Sequence, residues 1–301
     1  MVNGIINVYK EAGFTSHDVV AKLRGIFHQK KIGHTGTLDP EATGVLPVCL
    51  GKATRVCDLL TDKDKTYHCV MRLGITTDTQ DMTGQILKEQ EVAASEQEIR
   101  EAVLCFQGEY DQIPPMYSAR KVDGKKLYEL ARAGKEVERK PRRVKILDLK
   151  IKNIDLPEVA MEITCSKGTY IRTLCHDIGE NLGCGACMKS LIRTRVGDFS
   201  IEGSKTLAQL EQAVKEGKAG GLIQSVDVVF LEYPMAFVKK SAQKLLENGS
   251  RLPLCSLEEW KEEWKETRLR LYDSRGRFVG LYCYTVENKD LKPLKIFLEK
   301  D

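Results

Sequence analysis

Apolar side chains recur along this chain at the periods of strands and helices. Asn3 to Tyr9 (NGIINVY) is β-branched and apolar, the make-up of a strand. Ser16 follows as the expected N-cap, and Val19, Val20, Leu23, Ile26 and Phe27 then repeat at helical spacing. Residues 31–53 are crowded with Gly, Pro, Thr and Asp, so mostly loop is expected there. TYHCVMRLG at 66–74 predicts a second strand. Ser95 and Glu98 form a capping box ahead of Ile99, Ala102, Val103 and Phe106, an amphipathic helix.

Further on, VKILDLKIKNIDL (144–156) and EVAMEITC (158–165) alternate as a hairpin turning at Pro157. A glycine turn leads into an expected helix, TYIRTLCHDIGENLG (169–183), and KTLAQLEQAVKEG is another. A domain boundary is expected near Glu232 to Pro234. Beyond it come a short helix (SAQKLLENG), two strands around a Ser-Arg-Gly turn (RLRLYDSRGRFVGLYCYTV) and a last strand (LKPLKIFL), a small mostly-β module. Strands and helices do not alternate as βαβ units, so the expected class is α+β rather than doubly wound. The predicted division is residues 1–232 and 233–301.

Composition narrows the function classes. The chain has 301 residues, 42% hydrophobic and 30% charged, within the range of soluble globular proteins, and its length fits about two domains. No run approaches the ~18 to 20 consecutive apolar residues of a membrane span. The opening MVNGIINVYK lacks the pattern of a secretory signal, so a cytoplasmic protein with no membrane partner is expected. Ten cysteines are scattered, several inside apolar runs, as expected of reduced thiols acting as small hydrophobes. Cys184 and Cys187 form the one close pair; a zinc site needs four ligands and no second pair is present, so no metal is expected. Charge is uneven. Residues 120–145 hold eleven Lys or Arg against Asp123, Glu129, Glu136 and Glu138, a local +7 on a chain of net +4, which leaves −3 elsewhere. A basic segment on a near-neutral protein is the footprint of a phosphate-backbone binder.

The candidate chemistry lies in Lys31 to Arg55, KIGHTGTLDPEATGVLPVCLGKATR. It offers one carboxylate, Asp39, fixed before a proline in a loop whose glycines permit close backbone approach, with His34 five residues upstream. Taken alone, an Asp-Pro loop is as readily a turn. The full string resembles the signature of the TruB-type pseudouridine synthases, in which the Asp of G-T-L-D-P is catalytic. Four other stretches match in order: Asn7 to Val20, Lys65 to Gly74 (KTYHCVMRLG), Asp111 to Arg132 (DQIPPMYSARKVDGKKLYELAR), and Ser166 to Arg195, which begins SKGTYIRTLCHDIGENL. The resemblance spans about residues 3–200. It departs at Tyr9-Lys10-Glu11-Ala12, where the family often has Asp-Lys-Pro, but Lys10 and Gly13 are in place.

The resemblance implies a pseudouridine-synthase fold with a mixed, largely antiparallel central sheet. It also implies a basic tRNA-embracing thumb at about 118–145 and, more weakly, a C-terminal PUA-like RNA-binding module. The implied reaction isomerises uridine 55 in the T-loop of tRNA, with the base flipped out of its stack. Asp39 is the implied catalytic carboxylate, attacking C6 of the base or C1′ of the ribose, or driving elimination through a glycal. Tyr67 is expected against the base, helping to manage the proton at C5. Arg172 is expected beside Asp39, lowering its pKa by ~1 to 3 units. Tyr170 and Leu191 are expected to shape the uracil pocket, and His34 to stack within the RNA. Breaking C1′–N1 and joining C5 to C1′ oxidises nothing and imports no group, so no cofactor is expected. The chain carries neither a Walker A loop nor a dinucleotide-binding glycine pattern. A stand-alone monomer acting on the T-arm of tRNA is expected. The competing readings are a non-catalytic tRNA-binding or tRNA-folding protein, which intact Asp39 and Tyr67 disfavour, and a guide-RNA-dependent synthase, which the thumb and the end at Asp301 disfavour. A glycosidase would require a second carboxylate, for which only Glu41 is near.

Overall fold

The computed structural model describes residues 2–118, 120–122 and 124–298. Ala119 and Asp123 of the expected thumb, and residues 299–301 of the expected C-terminal module, lie outside the described residues. The first half of the chain supplies β1 (Gly4–Lys10), α1 (Ser16–Ile26), β2 (Ile32–His34), β3 (Thr43–Leu50), α2 (Cys57–Thr61) and β4 (Lys65–Leu73). Next come β5 (Ile75–Thr77), β6 (Ile86–Glu89), α3 (Glu96–Leu104) and β7 (Gly108–Gln112). The expected thumb segment holds the short pair β8 (Lys121–Val122) and β9 (Lys125–Lys126), then α4 (Leu127–Arg132). The body is completed by β10 (Arg142–Asp155), β11 (Glu158–Cys165), α5 (Ile171–Leu182), β12 (Ala186–Val196), β13 (Phe199–Ser200), α6 (Leu207–Lys215) and β14 (Ile223–Gln224).

Ten of these strands form one sheet in the order β14-β1-β3-β12-β4-β11-β10-β7, with β2 on β3 and β13 on β12. Every pairing is antiparallel except that of β12 with β3. The α+β class and the largely antiparallel sheet are therefore as expected. One detail matters for the site. A single edge of β3 serves two partners: β2 pairs with it from Val48 to Leu50, β12 at Thr43 and Gly44. The loop 35–42 leaves the sheet where the partner changes.

Two segments differ from the sequence expectation. Residues 31–53 are not mostly loop: β2, β3 and a 3-10 turn over Gly51–Val56 fill much of the stretch. The reason is that β3 is covered on both faces. Val45 and Cys49 enter one core cluster, Leu46, Val48 and Leu50 another, so the strand reads as an unbroken apolar run rather than an alternation. Gly44 is required there: its φ is +104°, and a Cβ would lie 2.2 Å from the carbonyl of Arg193 on β12. The second is β12 itself, an eleven-residue central strand whose two register shifts against β4 disrupt its alternation. Smaller in scale, the cap of α1 is Thr15, which forms the capping box with Asp18. Ser16 turns inward instead and is buried against Leu38.

The remaining elements match. β10 and β11 make the hairpin around Pro157, and Ser95 with Glu98 caps α3. On β4, Tyr67, Cys69, Met71 and Leu73 face one core cluster, meeting Ile171, Leu174, Cys175 and Ile178 of α5. A separate five-stranded sheet follows: β15 (Met235–Phe237), β16 (Leu252–Pro253), β17 (Arg268–Tyr272), β18 (Phe278–Thr285) and β19 (Asp290–Ile296), with the short helix α7 (Gln243–Glu247). It has its own core around Leu246, Leu269, Leu271, Val279 and Tyr282. Phe278 and Phe297 reach back to Phe230, Val56 and Leu60, joining the two sheets through an apolar seam. Arg55 donates to the Ile296 carbonyl at 2.7 Å across it. No helix among the described residues is long and apolar enough to cross a membrane.

Candidate active site

Asp39 stands on the loop between β2 and β3, and the loop is held almost entirely by its backbone. Ser16 Oγ accepts from the Leu38 amide at 2.9 Å, and the Gly13 amide donates to the Pro40 carbonyl at 3.1 Å. Lys10, with no solvent exposure, donates its ammonium to the carbonyls of Ala42 (2.6 Å), Pro40 (2.8 Å) and Glu11 (3.1 Å). Thr35 donates through both its amide and its hydroxyl to Pro47 O, and Arg193 Nη2 donates to Gly36 O at 3.2 Å. The carboxylate is thereby presented from a fixed frame, the condition for an aligned reacting group. Burial holds Lys10 down to about 8, with the carboxylates of Asp39 and Glu41 pulling the other way.

Arg172, in the first turn of α5, grips the carboxylate side-on. Its Nε lies 3.0 Å from Asp39 Oδ2 and its Nη2 3.3 Å from Oδ1. Nη2 also donates to the Tyr117 carbonyl at 2.8 Å, and Nη1 donates to the Thr79 carbonyl at 3.0 Å and to Asp81 Oδ2 at 3.4 Å. The guanidinium is 7% exposed, Asp39 39% and Asp81 13%. The expected pairing is present, but the expected direction of the Asp39 shift is not. The protein surrounding Asp39 withholds water and pushes its pKa above the ordinary carboxylate value, and Asp81 pushes the same way; Arg172 and Lys10 only moderate the rise.

Tyr67 and Leu191 are both buried and share a core cluster with Leu38 and Ala42, on either side of Asp39 in its loop. Burial pushes the Tyr67 phenol up to about 12. Tyr170 caps α5 from the other side. Its amide donates to Gln112 Oε1 at 2.8 Å while Gln112 Nε2 donates back to its carbonyl at 3.0 Å, so β7 fixes the start of the helix that carries Arg172. His34 stands apart. It ends β2, packs edge-on against His17 with ring centres 5.2 Å apart, and among the described residues makes no hydrogen bond or ring contact with Asp39, Tyr67 or Tyr170. Burial, with the charges of His17 and Arg193, holds it near 4, so its ring is neutral at pH 7.

Three participants are absent from the expected site: Asp81, Arg193 and Lys10 as a loop clamp. Asp81 lies in the β5–β6 turn, its Oδ1 accepting from Thr79 Oγ1 (2.8 Å), Thr83 N (3.0 Å) and Thr83 Oγ1 (2.5 Å). The string DTQDMTG after a strand signals an Asx-type turn but nothing about an arginine 91 residues away. All ten cysteines are free, and Cys187 contacts Met82 Sδ rather than Cys184. No cluster of metal-ligating side chains occurs among the described residues. One carboxylate held in an arginine fork beside an apolar wall with a phenol suits addition to, or elimination from, a flat heterocycle.

Comparisons with known proteins converge. Residues 24–171 match the family described as "TruB family pseudouridylate synthase (N terminal domain)", and residues 172–230 match "tRNA pseudouridylate synthase B C-terminal domain". The chain is similar to the "tRNA pseudouridine synthase B" of Lachnoclostridium phytofermentans, 53% identical over 99% of this chain and 100% of that one. It is also similar to the protein of the same name from Alkaliphilus oremlandii, 49% identical over the whole of both. Among solved structures, a chain of "Structure of H/ACA RNP bound to a substrate RNA containing 2'-deoxyuridine" superposes with a TM-score of 0.71 at 27% identity, covering 99% of this chain and 86% of that one.

Proposed function

The chain belongs to the TruB family of pseudouridine synthases, and on that footing we propose that it isomerises uridine 55 in the T-loop of tRNA to pseudouridine. The observation that carries the reading is the Asp39 carboxylate in the Arg172 fork, on a loop clamped from β1, α1 and β12. Asp39 is the catalytic residue. Tyr67 and Leu191 form the wall against which the flipped uracil lies, Tyr170 closes its rim, and neutral His34 stacks in the RNA where the base has left. Flipping costs a few kcal/mol, and stacking returns ~1–3 kcal/mol per base. No cofactor takes part.

The basic 118–145 segment acts as a thumb on the tRNA backbone. Residues 233–301 form a PUA-like module that meets the acceptor-stem side. The enzyme works as a monomer in the cytoplasm. The guide-dependent alternative is favoured only by the likeness to the H/ACA structures, at 27–29% identity. Against it stand relatives 41–53% identical and named for tRNA.

The test is a pseudouridine assay on an unmodified tRNA transcript with the wild type and Asp39→Asn. Pseudouridine at position 55 with the wild type alone supports the reading. Binding of the transcript without any product would replace it with the RNA-binding reading.

A further inference from the structure

Arg193 is the largest of the fully buried side chains, 1% exposed, and it carries a charge it cannot shed. Its Nε donates to the Val45 carbonyl at 2.7 Å and its Nη2 to the Gly36 carbonyl at 3.2 Å. Tyr67, its directly opposite partner in the β12–β4 pairing, has its phenol within electrostatic reach of the guanidinium. Among the described residues no carboxylate forms an ion pair with it. Its ionisable surroundings are Tyr67 and Lys65 on β4, Cys165 on β11, Lys10 on β1 and His34 on β2. Lys65 is a second buried cation, held down to about 8, so it adds no counter-charge. A buried cation without a counterion is among the costliest features a fold can keep. Two carbonyls accept two of its five N–H protons, and its charge is left unanswered. Among the described residues, the ionisable group directly opposite it across the β12–β4 pairing is Tyr67, whose phenol can become an anion.

The isomerisation, as proposed above, supplies an occasion for that anion. After C1′–N1 breaks, N1 lacks a proton; after C1′–C5 forms, C5 carries one too many. A phenol can serve both ends. Its O–H proton goes to N1 of the detached base, leaving a phenolate. Once C5 has bonded to C1′, the C5–H bond breaks, its electron pair restores the C5–C6 double bond, and the proton returns to the phenolate oxygen. Protons and electrons balance, and Tyr67 ends as it began.

Resting on that reading of the reaction, we infer that Arg193 is a positioning residue that acts through Tyr67, fixing its phenol and supplying the counter-charge for the phenolate through which the C5 proton passes. The same guanidinium holds Gly36 and Val45, so it aligns the Asp39 loop, β3 and Tyr67 to one another.

The test uses the full chain with Arg193→Lys, Arg193→Gln, Tyr67→Phe and the Tyr67→Phe/Arg193→Gln double variant. Each is assayed in single turnover on tRNA transcripts carrying ordinary or 5-deuterated uridine, alongside tRNA binding and thermal unfolding. Both Arg193 variants should bind tRNA normally yet react about 100-fold or more slowly, the scale of a positioned acid–base group. Deuterium at C5 should slow them more than it slows the wild type. The double variant should be no slower than Tyr67→Phe alone, because the two side chains act as one unit. Losses that multiply in the double variant, an unchanged isotope effect, or failure of both Arg193 variants to fold would make Arg193 a scaffold residue and overturn the inference. A wild type that forms no pseudouridine would instead remove the underlying reading, and that arm is read independently of Arg193.

Discussion

Arg172→Lys keeps the charge at the centre of the site and removes its shape. The guanidinium makes five polar contacts: two with Asp39, at 3.0 and 3.3 Å, and one each with Tyr117 O, Thr79 O and Asp81 Oδ2. An ammonium has three protons in a tetrahedral head and cannot bracket a carboxylate from the side, so two of the five contacts go at the least. Hydrogen bonds to charged groups are worth ~1.5–3 kcal/mol each, and water and repacking return part of that loss. A net ~2–4 kcal/mol in the reacting complex corresponds to about 30- to 1,000-fold in single-turnover rate. Enzyme in excess over an unmodified tRNA transcript, quenched at intervals and analysed for pseudouridine, measures it directly. Because the charge persists, the acid limb of the pH–rate profile should barely move in Arg172→Lys. In Arg172→Met the cation that moderates Asp39 is gone, and the limb should move to higher pH. A lysine variant within threefold of wild type would show that the fork is framework and not part of the chemistry.

Asp81→Asn removes a charge that raises the Asp39 pKa, so the acid limb of its pH–rate profile should shift to lower pH while the maximal rate falls; a shift upward would contradict the shared-guanidinium account. Lys10→Met takes the ammonium donor from the Ala42 carbonyl, at ~1–3 kcal/mol, leaves Pro40 O with the Gly13 amide alone, and should lower both the melting temperature and the rate. Lys10 has its folded pKa near 8 against 10.5 unfolded, so the unfolded chain binds the extra proton between those values and stability gains with rising pH; denaturant titrations should show that gain reduced in Lys10→Met. Gly44→Ala places a methyl 2.2 Å from Arg193 O at a φ of +104°, and should abolish soluble, tRNA-binding protein; a normally folded variant would mean that β3 and β12 can part locally.

The sequence made the chemistry easier to locate than its setting. G-T-L-D-P, K-T-Y and T-Y-I-R are short strings whose residues come together in the fold: Asp39 with Arg172 by contact, Leu38, Tyr67 and Ile171 in one core cluster. Alternation revealed β4, β10 and β11, because each has one face on the core and one outside it. It did not reveal β3, buried on both faces, or β12, whose bulges disrupt the period. The sign of the Asp39 shift was out of reach for a related reason. A motif names the arginine neighbour, but desolvation depends on everything packed around the carboxylate, including Asp81 from a turn that no string tied to it. Arg193 was hidden by its type: a lysine- or arginine-rich stretch ordinarily signals solvent, and this one is at the centre of the sheet.

The clamps on the Asp39 loop have an evolutionary consequence. Lys10, Gly13 and Arg193 all hold carbonyl oxygens of the loop, at Pro40, Ala42 and Gly36, and Ser16 holds an amide. Every non-proline residue supplies those same backbone groups. Exposed Thr37 and Glu41 can therefore drift, in lineages with different tRNAs or different growth temperatures, without loosening the carboxylate between them. The constraint has been moved off the loop and onto a few framework positions far from it in sequence. A mutational survey of the gene should find its intolerant sites at Lys10, Ser16 and Arg193 as surely as at Asp39.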